Sequence, residues 1–171
     1  MNSKLRVPTD SIPDVVCNCG PLIALAAIRQ LDLLPRLYHR IWIPAEVHRE
    51  LTGAVRFLSA RELFGQPWLE VVSLSGPVDS LLGSQLDAGE AAVLTLAREK
   101  PTAEVLMDER RGRRLAEQVY GLRIVGTGGL LLRAKTAGLI PAVTPLLTAM
   151  KSNGYHLSDR LLHAVCLAAG E

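Results

Sequence analysis

Residue types that handle metal ions and phosphates recur along this chain where its short apolar runs end. Asn18 follows Val15-Val16-Cys17, Glu46 and Glu50 follow Ile41-Trp42-Ile43, and Asp108 and Glu109 follow Val105-Leu106-Met107. Asp87 and Glu90 open a long small-residue stretch. Oxygen ligands drawn from separate segments suit Mg²⁺ or Mn²⁺. Such an ion generates a hydroxide nucleophile and clamps a phosphodiester for in-line attack. Arg110, Arg111, Arg113 and Arg114 come directly after Asp108. Guanidinium groups there could grip phosphates leading into an acidic cleft, with Arg133 and Lys135 extending the strip.

Each of these residues also has an ordinary explanation. Asp87-x-x-Glu90 is a helix capping box, and Asp108 is a good N-cap for the helix after it. Glu46 and Glu50 are spaced as solvated neighbours on one helix face. The arginines can be a solvated face partnered by Glu109 and Glu117. Only the joint pattern favours chemistry.

Positioning these residues needs strands that alternate with helices. The patterning predicts strands at Asp14–Cys17, 41–43, 105–107 and 123–125, with an edge strand within Trp68–Leu74. Gly20-Pro21 reads as a turn before a helix over Leu22–Ile28, and Leu31–Tyr38 as a second short helix. Further helices are expected over 45–51 with Gly53 as the stop, between Leu51 and Gly65, and over 87–99 and 110–120. Three more are expected over Leu130–Ala137, Pro141–Lys151 and from Ser158, as N-cap, to about Ala169. Gly126-Thr127-Gly128-Gly129 reads as a loop that offers a hydroxyl or backbone donors. Such alternation gives a mostly parallel sheet covered on both faces. Ligands of that architecture bind beyond the carboxyl ends of the strands.

The chain has 171 residues, 49% of them hydrophobic and 21% charged, which suits one domain with one core. Residues 1–13, polar with two prolines, read as a flexible N-terminal arm, and 14–171 as a single domain. Only 4% of residues are aromatic, which speaks against OB-fold or RRM modes of base stacking. A net charge of +2 is too mild to imply nucleic acid alone. No apolar run is long enough to span a bilayer, and an odd count of three cysteines fits reduced thiols in the cytoplasm. Cys17-x-Cys19 lacks the partner pair of a zinc site. The four histidines are scattered, with His48 expected to be the one nearest the site. The late glycine run is no dinucleotide fingerprint, and no hydrolase triad motif occurs.

Taken in order, five blocks resemble the PIN-like domains, in particular the DUF3368 branch. They are 15–25 (Val-Val-Cys-Asn-Cys-Gly-Pro-Leu-Ile-Ala-Leu), 43–51 (Ile-Pro-Ala-Glu-Val-His-Arg-Glu-Leu), 86–91 (Leu-Asp-Ala-Gly-Glu-Ala), 108–111 (Asp-Glu-Arg-Arg) and 125–130 (Val-Gly-Thr-Gly-Gly-Leu). The resemblance implies a three-layer α/β/α fold with a mostly parallel central sheet. It implies a Mg²⁺- or Mn²⁺-dependent endoribonuclease, in some members the toxin of a toxin–antitoxin pair. The partners it implies are RNA, a small antitoxin protein and a second copy of the chain.

Carried over residue by residue, Glu50, Glu90 and Asp108 match the family's catalytic acids, and position 18 its first-strand aspartate. Arg110, Arg111, Arg113, Arg114 and Thr127 are then candidates for contact with nucleic acid. Here position 18 is Asn, and Cys19 and Gly20 stand where small hydroxyl residues are usual. Asn18 offers a metal a neutral oxygen and no charge. Asp14 cannot replace it, since four residues of strand separate the two by roughly 13 Å. Two functions stay open: a nuclease with a weakened metal site, or a catalytically weak or inactive domain that binds nucleic acid or a protein. A receiver-like small-molecule enzyme is disfavoured by the missing lysine after a late strand. The leucines of 141–169 either pack on the sheet or serve as a dimer face or antitoxin groove.

Overall fold

The structure, a computed structural model, describes residues 12–53, 62–63 and 65–171. Among these, five parallel strands form one sheet: β1 (Val15–Cys17), β2 (Ile41–Pro44), β3 (Leu69–Val72), β4 (Glu104–Leu106) and β5 (Ile124–Val125). Their order is β3-β2-β1-β4-β5, with Val15 paired to Ile41 on one side and Glu104 on the other. Nine described helices cover the sheet in an α/β/α arrangement: α1 (Cys19–Ala27), α2 (Leu33–Leu37), α3 (Ala45–Gly53), α4 (Ser80–Gln85), α5 (Ala88–Glu99), α6 (Arg110–Gln118), α7 (Thr127–Thr136), α8 (Thr144–Ser152) and α9 (Asp159–Ala169).

The central strands are apolar throughout because both faces are covered. Val15, Val16, Cys17, Ile43, Val105 and Leu106 are fully buried. Helix α5 packs across β1, β2 and β4 and against α3, α4 and α6. Its middle, Ala91–Ala97, is buried all round. Alanines there let neighbouring backbones approach closely, and the buried Thr95 hydroxyl is satisfied by the Ala91 carbonyl at 2.8 Å.

Strand order reverses between β1 and β4. Chain leaving β1 travels towards β2 and β3, and chain leaving β4 travels towards β5. Loops at such a switch point diverge and leave a crevice beyond the carboxyl ends. Asn18 follows β1 and Asp108 follows β4, so both stand at its mouth.

Several local expectations are corrected. Gly20-Pro21 is no turn: α1 begins at Cys19, because Asn18 caps it at once, and Pro21 sits in the first turn where no N–H is needed. Gly126–Gly129 is no loop. Helix α7 begins at Thr127, with both later glycines inside it. Gly128 has a packing reason, since a Cβ there would come within 2.9 Å of Val165 on α9. Pro44 closes β2 as its last residue, and β3 is the edge strand expected within 68–74. Helix α4 was not foreseen. The helix expected between Leu51 and Gly65 falls largely outside the described residues, as does the N-terminal arm up to residue 11. No described helix is long and apolar enough to cross a membrane.

Candidate nucleic-acid cleft

Beyond β1 and β4 lies an open cleft of about 1020 Å³. Its lining draws on three segments: Asn18–Pro21, Asp108–Arg111 with Arg113, and Tyr155–Ser158 with Leu161, joined by Asp87 and Glu90. Four acidic and three arginine side chains therefore share one cavity. Glu50, Arg114 and Thr127 do not line it.

Asn18 is 5% exposed and is held through both its backbone and its side chain. Its backbone N–H donates to the Leu106 carbonyl at 3.0 Å, which ties β1 to β4. Its side-chain oxygen accepts from the Cys19 N–H at 2.9 Å as the N-cap of α1.

Asp108 serves a different helix from the one expected. Glu109, not Asp108, is the N-cap of α6. The Asp108 carboxyl reaches α7 instead, where Oδ1 accepts from the Thr127 N–H at 2.8 Å. Its Oδ2 accepts from the Thr127 and Tyr155 hydroxyls. The positive end of α7 stabilises the anion there. Burial and the Asp108 charge hold the Tyr155 phenol protonated well beyond its usual range. Thr127 is fully buried, so it braces an acid rather than facing a ligand.

Glu90 and Asp87 form the expected capping box: the Glu90 N–H donates to Asp87 at 2.8 Å, and the Asp87 N–H donates back at 3.3 Å. Burial pushes the Glu90 carboxyl up, with the charges of Asp87, Glu109 and Glu50 adding to it. Glu50 lies against α5, where the missing side chain of Gly89 makes room for its carboxylate. It also meets the Cys19 thiol. Burial, the hydrogen bond to Glu50 and the charges of Glu50 and Asp87 push that thiol up to about 12.

Among the described residues, no three His, Cys, Asp or Glu side chains converge as a group that could hold a metal ion. The reason is visible in the partners. Asn18 spends its oxygen on a helix cap, Asp108 is taken by three protein donors, Glu90 is in a capping box, and Glu50 turns to Cys19. Oxygen donors of the right kind are near one another, but this arrangement does not fit a Mg²⁺ or Mn²⁺ centre built on three acids.

The arginines divide. Arg110, Arg111 and Arg113 line the cleft, with Arg111 bonded to Gln85 at 2.5 Å. Arg113 donates to the Met107 carbonyl at 3.4 Å and stands 4.0 Å from Glu117. Arg133 and Lys135 do not extend the strip. Arg133 pairs with Glu104 at 2.7 Å, at the amino end of β4, and Lys135 with Glu171 at 2.6 Å. His48 is not the site's histidine, because His156 lines the cleft.

The sequence reading misses Tyr155 and counts His156 only among the scattered histidines. Their signal was Asn153-Gly154 after a helical run, followed by an aromatic residue in an aromatic-poor chain. Gly154 takes φ +86°, and the Tyr155 N–H returns to the Met150 carbonyl at 3.0 Å. That helix ending requires a left-handed residue, which glycine supplies, and it aims Tyr155 back at Asp108.

The chain belongs to the PIN-domain family: the pattern of DUF3368, a PIN domain, matches residues 14–171. No curated protein and no solved structure matches it.

Proposed function

We propose that this PIN domain binds RNA through its phosphodiester backbone in the cleft beyond β1 and β4, with cutting chemistry weak or absent. Three guanidinium groups share one cavity with carboxyls already engaged by protein donors, and that observation carries the reading. Arg110, Arg111 and Arg113 are the phosphate contacts, and Arg114, exposed on the same helix, adds positive charge. Free Cys17, Cys19 and Cys166 support a reducing compartment such as the cytoplasm.

A second reading has its own support. Asp87, Glu90, Asp108 and Glu109 line the same cleft, and burial, together with the charges of Asp87, Glu109 and Glu50, makes Glu90 hold its proton more tightly. A crowd of like charges favours a cation. On that reading the protein is a Mg²⁺- or Mn²⁺-dependent endoribonuclease in which the catalytic acids Glu50, Glu90 and Asp108 leave their present partners to converge on the ion, with Asn18 a weak fourth ligand. A toxin role adds an antitoxin helix or a second copy at exposed Leu161 and Leu167.

One experiment separates the two. Single-stranded RNA binding is measured against salt, and RNA cleavage is followed during Mn²⁺ titration, for the native chain beside Glu90→Ala and Asn18→Asp. The binding reading expects a logarithmic salt slope of about −2, as three phosphate contacts give. It also expects cleavage no greater than that of Glu90→Ala, and tighter Mn²⁺ binding only in Asn18→Asp. Mn²⁺-dependent cleavage by the native chain that Glu90→Ala abolishes would establish the nuclease instead.

A further inference from the structure

The cleft is lined by two chemically unlike segments. The start of α6 supplies Arg110, Arg111 and Arg113. The segment between α8 and α9 supplies Tyr155, His156 and Leu157, and α9 adds Leu161. Leu161 is 44% exposed and His156 is exposed too, and both line the cleft that the arginines share. The Tyr155 ring is fixed at both ends, by its backbone bond to Met150 and by its hydroxyl on Asp108. Tyr155 pinned in this way holds its chain neighbour His156 in place, so presenting that imidazole to a ligand costs little ordering.

Phosphates need only the first segment. A ligand that uses both must present phosphate and an apolar flat surface together, and an unstacked nucleotide does so. We propose that the 155–161 segment is a nucleobase subsite, with a base laid against His156 and Leu161 while its phosphates meet the arginines. The inference rests on the RNA reading above and makes the cleft selective for single strands. In a duplex the base faces are stacked away from any such surface.

The test compares three fluorescent oligomers by anisotropy: a single-stranded RNA, an abasic strand of equal length and charge, and an RNA duplex. The native chain should bind the single strand at least about 5-fold more tightly than the abasic strand, the size of one stacked base. His156→Ala and Leu161→Ser should remove that preference and leave abasic binding unchanged. His156→Phe should restore it, and Arg111→Ala should weaken both strands alike. Equal binding of base-bearing and abasic strands by the native chain overturns the subsite and leaves the phosphate reading standing. Equal losses on both strands in His156→Ala and Leu161→Ser overturn it too. No binding of any oligomer overturns both readings.

Discussion

At position 108 one carboxylate illustrates how a residue's role is settled by partners far along the chain. Sequence spacing makes Asp108 a cap for the helix that follows it. The structure gives it to α7 and Tyr155. Neither partner is local, so no window around position 108 could reveal them. Asn18 is the opposite case. Its cap on Cys19 is a contact between neighbours, and the residue type alone suggests it. Glu50 depends on a gap left by Gly89, and a substitution tests that. In Gly89→Ala the new methyl overlaps the Glu50 carboxylate, the far end of a flexible side chain that swings aside easily. Helix α5 then gains up to about 0.5 kcal/mol, the lower end of the mid-helix value, since Gly89 lies in the first turn. Cys19 loses its Glu50 partner, so its thiol drops below about 12 while burial keeps it above the ordinary range. Urea melts should show the added stability, and alkylation of Cys19 in mildly alkaline buffer should be faster than in the native chain.

Elements were legible where a signal lies within a few residues. The capping box at Asp87 and Glu90 is such a signal, and α5 begins where it says. Helix α4 was missed although its Asp79 cap is local, because six residues carry almost no periodicity and what braces the cap comes from afar. Asp79 accepts from the Leu81 and Leu82 N–H groups while Arg98, at 2.6 Å, and the Tyr120 hydroxyl, at 2.9 Å, hold the carboxylate from other helices and loops. The glycine run at 126–129 misled for a related reason: its small residues serve a close helix contact with α9 and not a loop. At the start of α5 a charge opposes the fold. The Glu90 carboxyl is raised above 4.5, so its stabilising share is complete below that value and is lost as pH rises through its folded pKa. Glutamine keeps the reach-back bond of the capping box without the charge. Glu90→Gln should therefore exceed the native chain in stability at neutral pH by about 0.3–0.5 kcal/mol, the size of a like-charge pair on a helix. That excess should vanish below pH 4.5, as thermal melts across pH would record.

For the whole molecule, the alternation of strand and helix was enough to foresee a parallel sheet with its site at the strand ends. Strand order was not legible, because pairing partners in a parallel sheet lie far apart in sequence. The last residue also ties remote parts together. Glu171 accepts from Lys135 at 2.6 Å and from the Val143 and Thr144 N–H groups at 2.8 Å, and these bonds hold its carboxyl down at about 2 from 4.5. A lowered acid stabilises the fold above its unfolded value and loses that contribution as pH falls through the folded one. The native chain's margin over Glu171→Gln in urea midpoint should hold at neutral pH and close between pH 4.5 and 2.

The place of β1 in the middle of the sheet has a consequence for how the molecule is made. Val15 needs Ile41 on one flank and Glu104 on the other. A ribosome delivers the first flank early and the second only after more than half the chain has emerged. Until then a wholly apolar strand has an open edge, ready to accept any extended segment that drifts by. Productive folding must therefore wait on a late arrival, and partial chains should be sticky until β4 docks.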